Sequence, residues 1–229
     1  MSVSVIIAGG GRGLRMANAI NKQFIKIHNR PIIAHTIEKF HQCSQVDCIL
    51  IVVPEEWIDF VRNDIVKKYQ FSKVKHVIAG GATRQESVFN GLKSTDETTS
   101  IVLIHDAVRP FIEVDLIEKV IQKAKQFGAA ILAVRAQDTI KFVQNGVVKS
   151  TPDREMMWQI QTPQGFQKEI ILRAYQRAIK ENITATDDSA LVESLGIAVH
   201  VVEGDYKNIK ITRPMDLEVA KILLKTEHK

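Results

Sequence analysis

The strongest constraint on this chain is the regular alternation of short β-branched runs with helix-length amphipathic segments. Strand candidates are residues 3–8, 48–53, 74–79, 101–104, 130–134 and 199–203. Between them, residues 31–41, 55–69 and 113–127 carry apolar side chains at helical spacing. In the second segment Trp57, Phe60, Val61, Ile65 and Tyr69 form one face; in the third Leu116, Ile117, Val120, Ile121 and Ala124 do. Strands alternating with helices predict an α/β, Rossmann-like fold: a mainly parallel sheet with helices on both faces. Ligands of such sheets sit at the carboxyl ends of the strands.

One stretch interrupts the alternation. Residues 139–144 and 147–151 read as two strands around Asn145-Gly146, a strong hairpin signal. With no repeat or linker elsewhere, residues 1–229 read as one domain from which 138–158 protrude as an inserted β-hairpin arm. Such an arm packs either on another subunit or on the edge of its own sheet.

The run at 8–16, Ala-Gly-Gly-Gly-Arg-Gly-Leu-Arg-Met, follows the first strand directly. Its glycines let the backbone approach a ligand closely, and successive N–H groups can then cradle phosphates. No Gly-Lys-Ser/Thr closes the run, so it is not a Walker A loop. The dinucleotide spacing of glycines at i, i+2 and i+5 is absent too, which argues against an oxidoreductase. What remains is a glycine loop with two cations, Arg15 within it and Lys22 shortly after, an arrangement suited to a triphosphate. A tight turn with merely exposed cations is the plainer alternative.

Charge and cysteines exclude other classes. The net charge of +5 is spread along the chain, which fits anionic small substrates and not a nucleic-acid groove. Cys43 and Cys48 have no second pair, so no zinc site is expected and both read as reduced thiols. Apolar runs are strand-length and no basic leader precedes residue 3, so a cytoplasmic protein without a membrane span is expected.

The loop with Arg15 and Lys22 resembles the nucleotide-binding signature of the sugar-nucleotidyltransferase superfamily. Later motifs narrow the resemblance. Gly80-Gly81 with Arg84 and Ser87, and the run His105-Asp106-Ala107-Val108-Arg109-Pro110, are similar to cytidylyltransferase segments. Asp138-Thr139, Asp153-Arg154, Thr162-Pro163-Gln164, Thr186-Asp187-Asp188 and Asn208-Ile209-Lys210 follow in the same order. The set resembles the 2-C-methyl-D-erythritol 4-phosphate cytidylyltransferases of non-mevalonate isoprenoid synthesis. Thr186 favours these over the sister ribitol-5-phosphate cytidylyltransferases of wall teichoic acid synthesis, whereas Val108 is common in the sisters. The chain departs from the family at Ala8-Gly9-Gly10, at Ala82 and at Arg135.

The resemblance implies transfer of CMP from CTP to a small polyol phosphate, with Mg²⁺ arriving on the nucleotide rather than at a protein-built metal site. Arg15, Lys22 and Lys210 would stabilise charge on the phosphates. Gly9, Gly10, Gly11, Gly13, Gly81, Ser87, Asp106 and Ala107 would surround the nucleotide. Thr139, Arg154 and Thr186 would hold the second substrate, with Arg154 completing the partner's site in a homodimer joined by the arm. On local sequence alone Ser87 is also a plain helix residue, Asp106 a turn cap, Arg154 a surface charge and Thr186 a helix N-cap. His105 reads as a structural hydrogen-bonder, since no Ser or Cys nucleophile accompanies it. A regulatory nucleotide-binding domain without chemistry would be expected to lack Arg15, Lys22 or Lys210, and all are present.

Overall fold

The computed structural model describes residues 1–10 and 21–227. Gly11, Gly13 and Arg15 of the glycine loop lie outside the described residues.

The centre is a seven-stranded sheet in the order β11-β7-β10-β6-β1-β4-β5. Its strands are β1 (Ser2–Ala8), β4 (Cys48–Val53), β5 (Val74–Ala79), β6 (Thr99–Asp106), β7 (Ala129–Arg135), β10 (Trp158–Gln167) and β11 (His200–Glu203). Short pairs β2 (Lys26–Ile27) with β3 (Arg30–Pro31), and β8 (Phe142–Gln144) with β9 (Val147–Ser150), form two separate ribbons. β1 lies parallel between β4 and β6, β5 is parallel to β4, and β11 is parallel to β7. Only β10 runs antiparallel to its neighbours in this sheet, β6 and β7.

Alternation of side chains along each strand builds two cores. Val3, Val5 and Ile7 of β1 face one layer, with Ile33, Ile37 and Phe40 of α1 (Ile32–Gln42) and Ile117, Val120 and Ile121 of α4 (Val114–Phe127). Ile6 faces the other, with Val88 and Leu92 of α3 (Arg84–Lys93), Ile171 and Tyr175 of α5 (Lys168–Lys180), and Leu191 and Val192 of α6 (Asp188–Glu193). The predicted helices on both faces are therefore present. Gly91 lets α3 approach β1: a Cβ there would stand 2.7 Å from Ile6 Cγ2. A smaller third cluster seats α7 (Pro214–Glu227) through Ala220 and Leu224 on Ile27, Ile32, Phe111 and Ile211.

Two elements differ from the sequence expectation. Residues 55–69 begin with a 3₁₀ turn (Glu55–Trp57), continue as one α turn, α2 (Ile58–Phe60), and widen into a π-helix (Val61–Lys67). Their apolar face still packs, with Trp57 stacked on Phe24 at a centroid distance of 4.5 Å. A hydrophobic repeat reports a buried face but does not distinguish helical windings over so few turns. The second element, β10, carries Gln159, Gln161, Thr162, Pro163 and Gln164, a polar run unlike a central strand. The hairpin is confined to β8 and β9, and Trp158 begins β10 instead of ending the arm.

Candidate active site

The carboxyl ends of β1, β4 and β6 meet at a cluster of backbone turns and charges. The Gly9 N–H donates to Val52 O at 2.7 Å, and the Ala107 N–H donates to Ala8 O at 3.0 Å, so Gly9 and Ala107 line the ends of β1 and β6. Gln23 sits on a 3₁₀ turn (Lys22–Phe24), and its buried Nε2 donates to Gly9 O at 2.6 Å. That bond ties the turn carrying Lys22 to the end of β1.

The Gly80-Gly81 turn leads into α3. Thr83 caps the helix by accepting from the Glu86 N–H at 3.1 Å, as a Thr N-cap should. Ser87 is a buried helix residue whose Oγ accepts from the Gly81 N–H at 3.0 Å and donates to Thr83 O at 2.8 Å. Close packing requires a glycine opposite it, because a Cβ on Gly10 would lie 2.6 Å from that hydroxyl. Ser87 thus joins the Gly9-Gly10 backbone to the Gly80-Gly81 turn. Where a polar side chain would follow the glycines, the Ala82 N–H instead donates to the Glu86 carboxylate at 2.8 Å.

Asp106 ends β6 and is buried. Its Oδ2 lies 2.8 Å from Lys210 Nζ and 3.5 Å from Arg109 Nε, and its Oδ1 lies 3.4 Å from Arg84 Nε. Burial alone would raise its pKa, but Lys210, Arg84 and Arg109 outweigh that and hold the carboxyl well below the usual carboxylate range. The carboxylate does not cap the following turn; its own backbone carbonyl does that, accepting from the Arg109 N–H at 3.1 Å.

Lys210 is brought in from a late segment by two side-chain bonds and one backbone bond. Arg109 Nη1 donates to Asn208 O at 2.8 Å, Asn208 Nδ2 donates to Thr162 O at 3.0 Å, and the Ile211 N–H donates to Val108 O at 3.0 Å. Three charged groups far apart in sequence therefore converge on Asp106.

His105 behaves as the structural hydrogen-bonder expected of it. Its Nε2 lies 3.0 Å from Arg109 O, a pure acceptor, so Nε2 carries the proton. Nδ1 then accepts from Thr162 Oγ1 at 2.9 Å, and that oxygen accepts from the Asp106 N–H at 3.1 Å. Burial pushes the imidazole pKa down to about 4, which keeps this chain of bonds intact at neutral pH.

Several of these groups were not among the candidates read from sequence. Arg84 donates from Nη1 and Nη2 to the two oxygens of buried Asp188, at 3.1 and 2.7 Å. Gln164 Nε2 donates to Asp187 at 2.7 Å while its Oε1 accepts from the Ser189 N–H at 3.0 Å. Arg84, Arg109, Gln164 and Asp188 stand within the sequence motifs but draw no role from them, and Gln23 carries no signal of its own.

The second-substrate candidates are placed differently. Thr139 and Arg154 are exposed at the base of the hairpin, and Arg154 Nη1 donates to Gln137 O at 3.2 Å. Thr186 is exposed immediately before α6. It is not the N-cap: Asp187 is, accepting from the Ala190 N–H at 3.1 Å. A Thr two residues before the first helical position stands one place too early for that bond. Cys43 and Cys48 are buried free thiols with raised pKa values from desolvation.

A conserved-family model described as 2-C-methyl-D-erythritol 4-phosphate cytidylyltransferase matches residues 3–226. The enzyme of that name from Clostridioides difficile is 46% identical over 224 residues, covering 98% of this chain and 94% of the relative. The Geobacter metallireducens enzyme of the same name is 42% identical over 228 residues, with 98% of each chain covered. Among solved structures, 4-diphosphocytidyl-2C-methyl-D-erythritol synthase from Anaerococcus prevotii superimposes with a TM-score of 0.88 at 34% identity, covering 98% of this chain and 96% of that one. With this match running through every strand and through each turn around Asp106, the chain belongs to the 2-C-methyl-D-erythritol 4-phosphate cytidylyltransferase family.

Proposed function

We propose that this protein transfers CMP from CTP to 2-C-methyl-D-erythritol 4-phosphate and releases pyrophosphate, a step of non-mevalonate isoprenoid synthesis. The observation that carries the reading is the ionised Asp106, surrounded by Lys210, Arg109 and Arg84 at the strand ends of a chain that matches this family along its length. The family match disfavours ribitol 5-phosphate as the acceptor. A non-catalytic nucleotide-binding role is disfavoured by the same match.

In this reading an oxygen of the acceptor's phosphate forms a new bond to the α-phosphorus as the bond to the bridging oxygen breaks and pyrophosphate leaves. That oxygen is ionised at neutral pH, so no general base is needed. The difficulty is to bring two anions together, and the protein's task is alignment and charge compensation. Arg15 and Lys22 bind the triphosphate. Lys210 exchanges its contact with Asp106 for the α-phosphate, drawing charge onto the group that accumulates it. Gly81, Ser87 and the backbone at Gly9-Gly10 face base and ribose, and Gly11, Gly13, Asp106 and Ala107 are the further nucleotide contacts the family resemblance implies.

Mg²⁺ enters with CTP. Among the described residues no three His, Cys, Asp or Glu side chains gather into a metal site. A lone ionised carboxylate at a strand end nevertheless fits an ion whose other ligands are phosphate oxygens. Asp106 would hold that ion, which supplies further offset of the triphosphate charge.

The arm suits a second copy of this chain. Phe142 is 63% exposed, Val143 52%, Val147 58% and Val148 54%, an apolar density expected of an interface. Docking of two arms in a homodimer brings Thr139 and Arg154 of one copy to the acceptor side of the other, beside Thr186. Arg154 supplies the planar fork that phosphate recognition favours. Because both substrates are charged and water-soluble, we assign the reaction to the cytoplasm.

The test is pyrophosphate release with CTP and Mg²⁺, comparing 2-C-methyl-D-erythritol 4-phosphate with ribitol 5-phosphate. Strong preference for the first is expected. Preference for ribitol 5-phosphate overturns the acceptor, and release with neither overturns the reaction.

A further inference from the structure

Arg84 is the first residue of α3, in the turn assigned to the nucleotide, while Asp188 is the first residue of α6, two positions after Thr186. The two are 104 residues apart in sequence, yet the guanidinium grips both carboxylate oxygens of Asp188. This is the bidentate geometry that fixes orientation as well as distance. Asp188 is fully buried and accepts a further bond from the Tyr175 hydroxyl, so it is anchored from behind. On its other edge Arg84 Nε faces Asp106 Oδ1 at 3.4 Å. The Arg84 side chain itself remains 34% exposed. Next to Asp188, Asp187 is clamped by Gln164, and just before Thr186 Gln85 of α3 donates to Ile183 O and accepts from the Ala185 N–H, so polar ties flank Thr186 on both sides.

We infer that Arg84 is a positioning residue that holds the acceptor-binding segment at Thr186 in register with the nucleotide-binding turn, acting through Asp188. The inference rests on the cytidylyltransferase reading above and adds to it a device that joins the two substrate sites. Residues 181–187 are exposed or half-buried, and Ile183 and Ala185 pack against the core at their α3–α5 side. That packing leaves Thr186 and Asp187 to be placed by polar ties, of which a charged fork to a buried carboxylate is the most directional. In-line transfer between two phosphates is sensitive to displacements of about 1 Å, which cost up to about 10²-fold in rate. Lysine at position 84 keeps the charge beside Asp106 but presents a single point donor in place of the fork.

The experiment is a kinetic double-mutant cycle on the full chain, with Arg84→Lys, Asp188→Asn and the double variant, measuring kcat and both KM values beside thermal midpoints. Each single variant is expected to raise the acceptor KM about tenfold and to leave the KM for CTP within about twofold, with the double variant no worse than the singles, because both break one tie. Tyr175→Phe serves as the structural control: it removes the hydroxyl behind Asp188, and is expected to lower the thermal midpoint with no change in acceptor KM. Unchanged acceptor KM in the folded Arg84→Lys and Asp188→Asn proteins overturns the inference. So do effects that multiply in the double variant, or an equal KM rise in Tyr175→Phe. Wild-type protein that releases no pyrophosphate overturns the underlying functional reading, a result recognisable before any variant is made.

Discussion

The charged cluster around Asp106 and the β8–β9 hairpin place opposite residues in opposite surroundings. In the first, Asp106, Asp188 and His105 are buried, and each is met by named partners. In the second, Phe142, Val143, Val147 and Val148 are apolar and stand in solvent. A buried charge persists because paired charges and hydrogen bonds offset its desolvation. An exposed apolar strand pair has no such internal compensation. Among the described residues the cluster's charges are met within the chain, whereas the arm's apolar side chains are left in solvent, the observation from which the proposed dimer is argued.

The largest expected effect breaks the cluster from within. Asp106→Asn leaves Lys210, Arg109 and Arg84 around a neutral amide and is expected to destabilise the fold by about 3–5 kcal/mol, read by urea denaturation. A loss under about 1 kcal/mol would mean the cations relax to solvent, and the cluster would then resemble the arm more than a core.

Acid should act on the same region. His105 titrates near 6.5 when unfolded and at about 4 when folded, so the unfolded chain binds protons first as pH falls. Its contribution is fully present above pH 6.5 and is lost progressively as pH drops through about 4, by about 3 kcal/mol in all. The depressed pKa of Asp106 works in the same direction, but only below the ordinary carboxylate range. Thermal midpoints measured from pH 7.5 to 4 should fall, and His105→Asn should flatten that slope. An unchanged slope would show that the imidazole is not the group responsible.

Next in size is Lys22→Ala, which changes a half-buried residue of the 3₁₀ turn that Gln23 ties to the end of β1. It is expected to reduce kcat by 10²-fold or more, about 2.7 kcal/mol of barrier, with little change in thermal midpoint. Near-normal turnover at saturating substrates would remove Lys22 from the charge-stabilising set.

The smallest effect on the isolated chain belongs to the arm. Val143→Lys with Val148→Lys should alter monomer stability by no more than about 1 kcal/mol, since the two half-exposed side chains face each other across the hairpin and lie outside the core. Light scattering should nevertheless report a shift from dimer to monomer, and the acceptor KM should rise with it. A protein that is monomeric and fully active before the substitutions would separate the arm from catalysis altogether.

How much of this was legible beforehand follows the same division. The parallel strands announced themselves as β-branched runs, and β4 and β5 have the boundaries read from sequence. The hairpin was legible from Asn145-Gly146, whose positive φ angles of 51° and 75° are those that such a turn demands. β10 was not legible, because Gln161, Thr162 and Gln164 interrupt any apolar pattern. Each of them instead bonds a site segment: Asn208, His105 and Asp187 respectively. Polar residues in a buried strand are invisible to hydrophobic periodicity when their partners come from distant parts of the chain.

The site shows the same limit. Motif order brought Lys22, Asp106 and Lys210 into consideration, but gave no reason to link Arg84 with Asp188. Likewise Thr186 reads as the N-cap on local sequence, and the start of α6 at Asp188 gave that place to Asp187.

The α/β class, most strand and helix faces and the position of the hairpin were readable along the chain, because they follow from local periodicity and turn chemistry. Which charges pair, which cap forms and which apolar residues stay uncovered emerged with the fold. Each of those depends on distances between groups remote in sequence, and Coulomb interaction, hydrogen bonding and burial are functions of distance in space.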